Sequence, residues 1–135
     1  MPSGKRHYRL TLSDALEAHE VALRYGGADG IISLDLIEAA IGRPYTGYYL
    51  AIYKKAAALV ESMCMNHGFT DGNKRTSLLL LEILLQRSGY KLRSLNGEEL
   101  NKAVEDMLVS VASGDMVYGE VELWMKARIE KLPHA

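Results

Sequence analysis

Eight residues, Leu78-Leu79-Leu80-Leu81-Glu82-Ile83-Leu84-Leu85, constrain this chain more than any others. A helix through them is apolar on nearly every side, as expected of a helix inside a domain rather than on its surface. The run is far short of the roughly 20 residues that would span a bilayer. Other helices must therefore cover it. If five of its leucines and isoleucines are fully buried, each contributes roughly 1.5–3 kcal/mol, enough to hold whatever precedes the run on a rigid support.

What precedes it is polar. His67-Gly68-Phe69-Thr70-Asp71-Gly72-Asn73-Lys74-Arg75-Thr76 gathers an imidazole, a carboxylate, an amide and two cations in one turn. Asp71, Gly72 and Asn73 are turn and N-cap residues, so the spacing predicts a helix starting at Lys74 and stopping at Gly89. A helix start presents unpaired N–H groups and partial positive charge, both suited to phosphate.

The chain has 135 residues, 48% of them hydrophobic and 24% charged, which fits one soluble globular domain spanning 1–135. A net charge of −1 argues against generic binding to nucleic acid or anionic membrane, so Lys74 and Arg75 must act locally. With Cys64 the single cysteine there is no internal disulfide, and with no signal peptide in view the expected location is the cytoplasm.

Residues 1–7 and 133–135 are expected to be flexible tails. Leu12, Ala15, Leu16, His19, Ala22 and Leu23 recur at helical spacing, with Ser13 as the expected cap and Gly26-Gly27 as the stop. A short helix is expected over 34–41, ended by Gly42-Arg43-Pro44. Tyr45-Thr46-Gly47-Tyr48-Tyr49 reads as a loop or short hairpin. An apolar stripe of Tyr49, Ile52, Tyr53, Ala56, Leu59, Val60 and Met63 then forms a helix that runs into His67. Asn96 and Glu99 have capping-box spacing for a helix through Val111, and Val121, Trp124, Met125 and Ile129 suggest a last one. No alternating strand pattern stands out. The predicted fold is all-α, a compact bundle around the central helix that follows the polar loop.

The imidazole of His67 can accept a proton as a general base; taken alone, a histidine there would merely cap or pack a helix end. Asp71 could hold Mg²⁺ beside nucleotide phosphates, or simply cap a helix. Gly72 permits either close backbone approach to a ligand or the turn itself, and Asn73 could orient a phosphate or cap. Lys74 and Arg75 oppose the helix dipole, which costs about 0.3–1 kcal/mol each, and an arriving polyphosphate would reverse that sign. His19 reads as a hydrogen-bonded core histidine and Cys64 as packing. These residues point to a metal-assisted phosphoryl or nucleotidyl site with a histidine base.

His67 to Arg75 resembles the signature of the Fic/Doc family, written HxFxxGNGR in Fic proteins and HxFxxxNKR in the Doc branch. The similarity extends to Arg9-Leu10-Thr11-Leu12, to Leu36–Pro44, to Lys55–Leu59 and to Gly89-Tyr90, covering residues 8 to 118. The resemblance implies a Fic-type bundle that uses ATP and Mg²⁺ on a protein substrate. His67 would deprotonate a target hydroxyl and Asp71 would bind the metal. Gly72 and Asn73 would form the anion cradle, and Lys74 and Arg75 would hold phosphates. The aromatic segment 43–49 falls where the family places a flap for the target chain.

Lys74 follows Doc, whose members present the γ-phosphate and act as kinases; Gly72 follows Fic AMP-transferases, where Doc has alanine. Lys74 weighs more, because its fixed charge occupies space that the Fic nucleotide pose needs. By resemblance the chain is then a Doc-like, death-on-curing toxin of a toxin–antitoxin pair that modifies a translation elongation factor and is held by a small antitoxin. AMPylation of a protein hydroxyl and a non-catalytic antitoxin- or nucleotide-binding relic are the alternatives. Ser13 to Glu17 fits part of the family's inhibitory pattern S/T-x-x-x-E-G/N, but Ala18 breaks it, so an external antitoxin is expected.

Overall fold

In the computed structural model, which describes residues 6–133, the first helix opens at Thr11. The Thr11 hydroxyl accepts from the Asp14 N–H at 3.1 Å, and the Asp14 carboxylate accepts from the Thr11 N–H at 3.0 Å. This reciprocal pair satisfies two amides that a helix start would otherwise leave orphaned. Ser13, the expected cap, lies inside helix α1 (Leu12–Leu23) instead. A cap must sit in extended backbone to turn its side chain back, and Thr11 does (φ −113°, ψ 162°). Of the expected tails, residues 1–5, 134 and 135 lie outside the described residues, whereas the His7 ring packs edge-on to Tyr90.

Helix α2 (Leu34–Gly42) is capped by the Ser33 hydroxyl and passes into one 3₁₀ turn, Arg43–Tyr45, with Pro44 buried. Residues 46–51 are loop and not hairpin. Helix α3 (Ile52–Asn66) starts later than the apolar stripe suggested. Tyr49 stays outside it, accepting from Arg43 Nε at 3.0 Å. Helix α4 (Asn73–Ser88) begins one residue before the expected Lys74 and stops, as expected, at Gly89, which is left-handed (φ 91°).

Two three-residue strands, β1 (Tyr90–Leu92) and β2 (Ile129–Lys131), were not legible in the sequence. They pair antiparallel, Tyr90 opposite Lys131 and Leu92 opposite Ile129. Between them lie helices α5 (Leu100–Ala112) and α6 (Tyr118–Arg128). Glu99, not Asn96, caps α5, because its carboxylate reaches the N–H groups of both Asn101 and Lys102. Ile129, expected in the last helix, begins β2.

The architecture is the all-α bundle the sequence predicted, with a small two-stranded sheet added to it. Helix α3 packs on α2, α4, α5 and α6, and α4 packs in turn on α1 and α3. Four residues of the leucine run (Leu80, Leu81, Leu84 and Leu85) are buried, and Leu78, Leu79 and Ile83 are partly so. At roughly 1.5–3 kcal/mol for each fully buried side chain, α4 is a firm support for the loop before it. No helix among the described residues is long and apolar enough to cross a membrane.

Candidate active site

Helix α3 ends on His67, which adopts left-handed backbone (φ 49°, ψ 50°) and is the one non-glycine residue with positive φ among those described. A Cβ in that region crowds its own carbonyl and costs roughly 1–2 kcal/mol, so the geometry is imposed by what surrounds it. Next in the chain, Gly68 passes so close to α2 that a Cβ there would lie 2.5 Å from Ile37 Cγ1. Its carbonyl accepts from the N–H groups of Ile32 and Ser33. The bend leaves the His67 side chain exposed and Phe69 fully buried.

From Phe69 to Asn73 the loop is fastened on three sides. Asn73 accepts from the Phe69 N–H at 3.2 Å and donates to the Phe69 carbonyl at 2.9 Å, closing the loop on itself. Ile31 forms an isolated antiparallel bridge with Phe69, and the Thr70 N–H donates to the Gly30 carbonyl at 3.0 Å. His19, on α1, is buried; it stacks on Phe69 (3.8 Å between centroids, 11° between planes) and its Nε2 lies 2.7 Å from the Asp71 carbonyl oxygen. A carbonyl only accepts, so Nε2 carries the hydrogen.

The Asp71 side chain is exposed, and Oδ2 accepts from the Ala28 N–H at 2.9 Å. Its Oδ1 has no hydrogen-bond partner among the described residues. No group of three or more His, Cys, Asp or Glu residues able to hold a metal occurs among them either. One carboxylate with an open oxygen beside an uncapped helix start still suits Mg²⁺, which takes one or two carboxylates and fills its other positions with phosphate oxygens and water.

Helix α4 starts on Gly72 (φ 82°) with no side-chain cap. The first amide to find a carbonyl is that of Thr76, bonded to Gly72 at 2.8 Å. The amides of Asn73, Lys74 and Arg75 are left facing outward with the positive end of the helix dipole behind them. The side chains of Lys74 and Arg75 are exposed, and neither takes part in an ion pair among the described residues. Arg75 lies over the Tyr25 ring, 5.2 Å from its centroid.

His67, Asp71, Gly72, Asn73, Lys74 and Arg75 all line one open cavity of about 1090 Å³. It continues along the groove between α4 and α5, past Leu78 and Leu108. Cys64 also borders it, but burial pushes that thiol up to about 11, so it is a neutral packing group at neutral pH.

The aromatic segment 43–49 does not border this cavity, which corrects its expected role as a flap. It precedes α3 while His67 follows it, and 15 residues of helix separate the two by about 22 Å. The loop after α1 takes that place instead. Tyr25, Gly26 and Gly27 border the cavity, and residues 30–33 run beside the 68–70 backbone. In the sequence, Gly26-Gly27 signalled only a helix stop; its positive φ angles (110° and 106°) carry the chain across the mouth of the site.

A model described as the Fic/DOC family matches residues 9–85. Over 111 residues the chain is 34% identical to a protein named Toxin Doc from Mycolicibacterium smegmatis (strain ATCC 700084 / mc(2)155), an alignment covering 78% of this chain and 82% of that one.

Proposed function

The chain belongs to the Fic/DOC family, and on that premise we propose that it is an ATP-dependent protein phosphotransferase, the toxin of a toxin–antitoxin pair. The observation that carries this reading is the uncapped, doubly cationic start of α4, opening into a cavity whose rim bears an exposed imidazole. Unpaired amides fixed at a helix start bind developing negative charge without reorganising, and this favours a phosphoryl group in transfer.

The N–H groups of residues 73–75 receive the terminal phosphate, and Lys74 and Arg75 grip its oxygens, Arg75 through two donors at once. His67 takes the proton of a hydroxyl on the protein substrate. A bond forms between that oxygen and the γ-phosphorus while the bridge to the β-phosphate breaks, and ADP leaves. Asp71 would hold Mg²⁺, which neutralises charge on the phosphates when bound. Gly72 and Asn73 shape the cradle, Gly72 by its left-handed turn and Asn73 by closing the loop on Phe69. The name of the relative, Toxin Doc, supports a small antitoxin as partner, and the earlier resemblance alone supports a cytoplasmic translation elongation factor as target.

Lys74 favours γ-phosphate transfer over AMP transfer, because its charge stands at the mouth of the cradle. Gly72 favours the second reading, AMP transfer, since the Fic signature has glycine at this position. Incubating the protein with cell lysate and ATP labelled separately at the α- and γ-phosphates decides between them. Label reaching protein from the γ-position alone is expected. Transfer of α-label establishes AMPylation, and no transfer with no growth arrest on expression leaves a binding module.

A further inference from the structure

We infer that His19 is a positioning residue of this site, and that its bond to the Asp71 carbonyl is what keeps the start of α4 open. His19 is 4% exposed and lies on α1, 52 residues before its acceptor. Buried polar side chains are nearly always paired, so finding a partner is ordinary. Which partner it finds is informative. Counting four residues along the chain, the Asp71 carbonyl is the one that the Arg75 N–H would bond if α4 began a residue earlier. That carbonyl is turned to His19, and the first helical bond is instead Thr76 to Gly72. The Arg75 amide is thereby kept for the cavity.

Three features of the loop meet on this one imidazole. Phe69 stacks on its face, Asp71 accepts its hydrogen, and Gly72 runs so close that a Cβ there would lie 3.4 Å from His19 Cδ2. The Asp71 carbonyl is held by His19 and its carboxylate by the Ala28 N–H, and two anchors on one residue leave the carboxylate little freedom to turn from the cradle. His19 acts through Asp71 and α4; it does not border the cavity itself.

Two variants separate the hydrogen bond from the packing. His19→Phe keeps a ring to stack on Phe69 and removes the N–H, whereas His19→Gln supplies an N–H at similar reach without a ring. Amide hydrogen exchange would be measured at Thr70 and Thr76, which are bonded to Gly30 and Gly72, with α5 as internal reference. Losing one buried hydrogen bond is expected to speed exchange at both amides about ten-fold in His19→Phe with α5 unchanged, and His19→Gln is expected to restore most of the protection.

Titration with ATP and Mg²⁺ should follow the same order, His19→Phe binding about ten-fold more weakly and His19→Gln near the wild type. This second readout rests on the proposed phosphotransferase reading; the first does not. Wild-type exchange in His19→Phe overturns the inference, and so does equal loosening of both variants together with α5, which would reduce His19 to core packing. A wild-type protein that fails to bind ATP overturns the phosphotransferase reading, while the exchange data still decide the role of His19.

Discussion

Helices α1 and α4 begin in opposite ways. At the start of α1, Thr11 and Asp14 exchange hydrogen bonds, the Asp14 carboxylate also accepts from the Tyr8 hydroxyl at 2.8 Å, and an acidic residue stands in the first turn. At the start of α4, Gly72 offers no side chain, no acid is present in the first turn, and Lys74 and Arg75 follow immediately. One start is satisfied internally and favoured by the dipole; the other is left bare and opposed by it. The difference is one of location. The first does not border the cavity, and the second opens into it beside His67.

The largest expected effect lies at the bare start. His67→Gly should lower the rate of protein labelling by roughly 10²–10⁴ through loss of the general base. Because it also relieves left-handed backbone, it should raise stability by about 1 kcal/mol in urea unfolding. Activity and stability moving in opposite directions would mark His67 as a site residue; wild-type labelling would remove it from the chemistry. Asp14→Asn, at the satisfied start, should leave labelling unchanged.

Thr11→Ala should destabilise the fold by about 1 kcal/mol, the usual cost of a lost N-cap, with no loss of ATP binding. Lys74→Ala and Arg75→Ala should do the reverse. Each is expected to add roughly 0.3–1 kcal/mol of stability at low salt, a gain that fades as salt is raised, while weakening ATP binding. Equal signs for Thr11→Ala and Lys74→Ala in urea unfolding would break the comparison.

The smallest effect is in acid. Burial pushes the Asp14 carboxyl up, but the Thr11 N–H, the Tyr8 hydroxyl and nearby Arg87 outweigh it and hold it below its ordinary 3.8. A folded pKa below the unfolded one contributes stability above about 3.8, lost as pH falls through the folded value. The protection factor of the Thr11 amide, which donates to that carboxylate, should therefore fall as pH drops below that range, and Asp14→Asn should abolish this fall.

What could be read in the chain beforehand was what is local in it. The leucine run, the stop at Gly89 and the spacing of His67, Asp71, Lys74 and Arg75 all lie within two dozen residues, so period and turn chemistry exposed them. Whatever depends on distant partners stayed hidden. His19 could be placed in the core, but its acceptor lies on another element, and the pairing of Ile31 with Phe69 leaves no alternation to detect. The strands at 90–92 and 129–131 are too short to show a period. The flap role of segment 43–49 rested on its position along the family's chain, and only the fold places it at the far end of α3.

The most direct measurement is a crystal structure with a non-hydrolysable ATP analogue and Mg²⁺. The expected result is a phosphate group whose oxygens accept from the backbone N–H groups of residues 73–75, with the Lys74 and Arg75 side chains on the same group. A nucleotide whose phosphates lie elsewhere in the cavity, leaving those three amides to water, would contradict it.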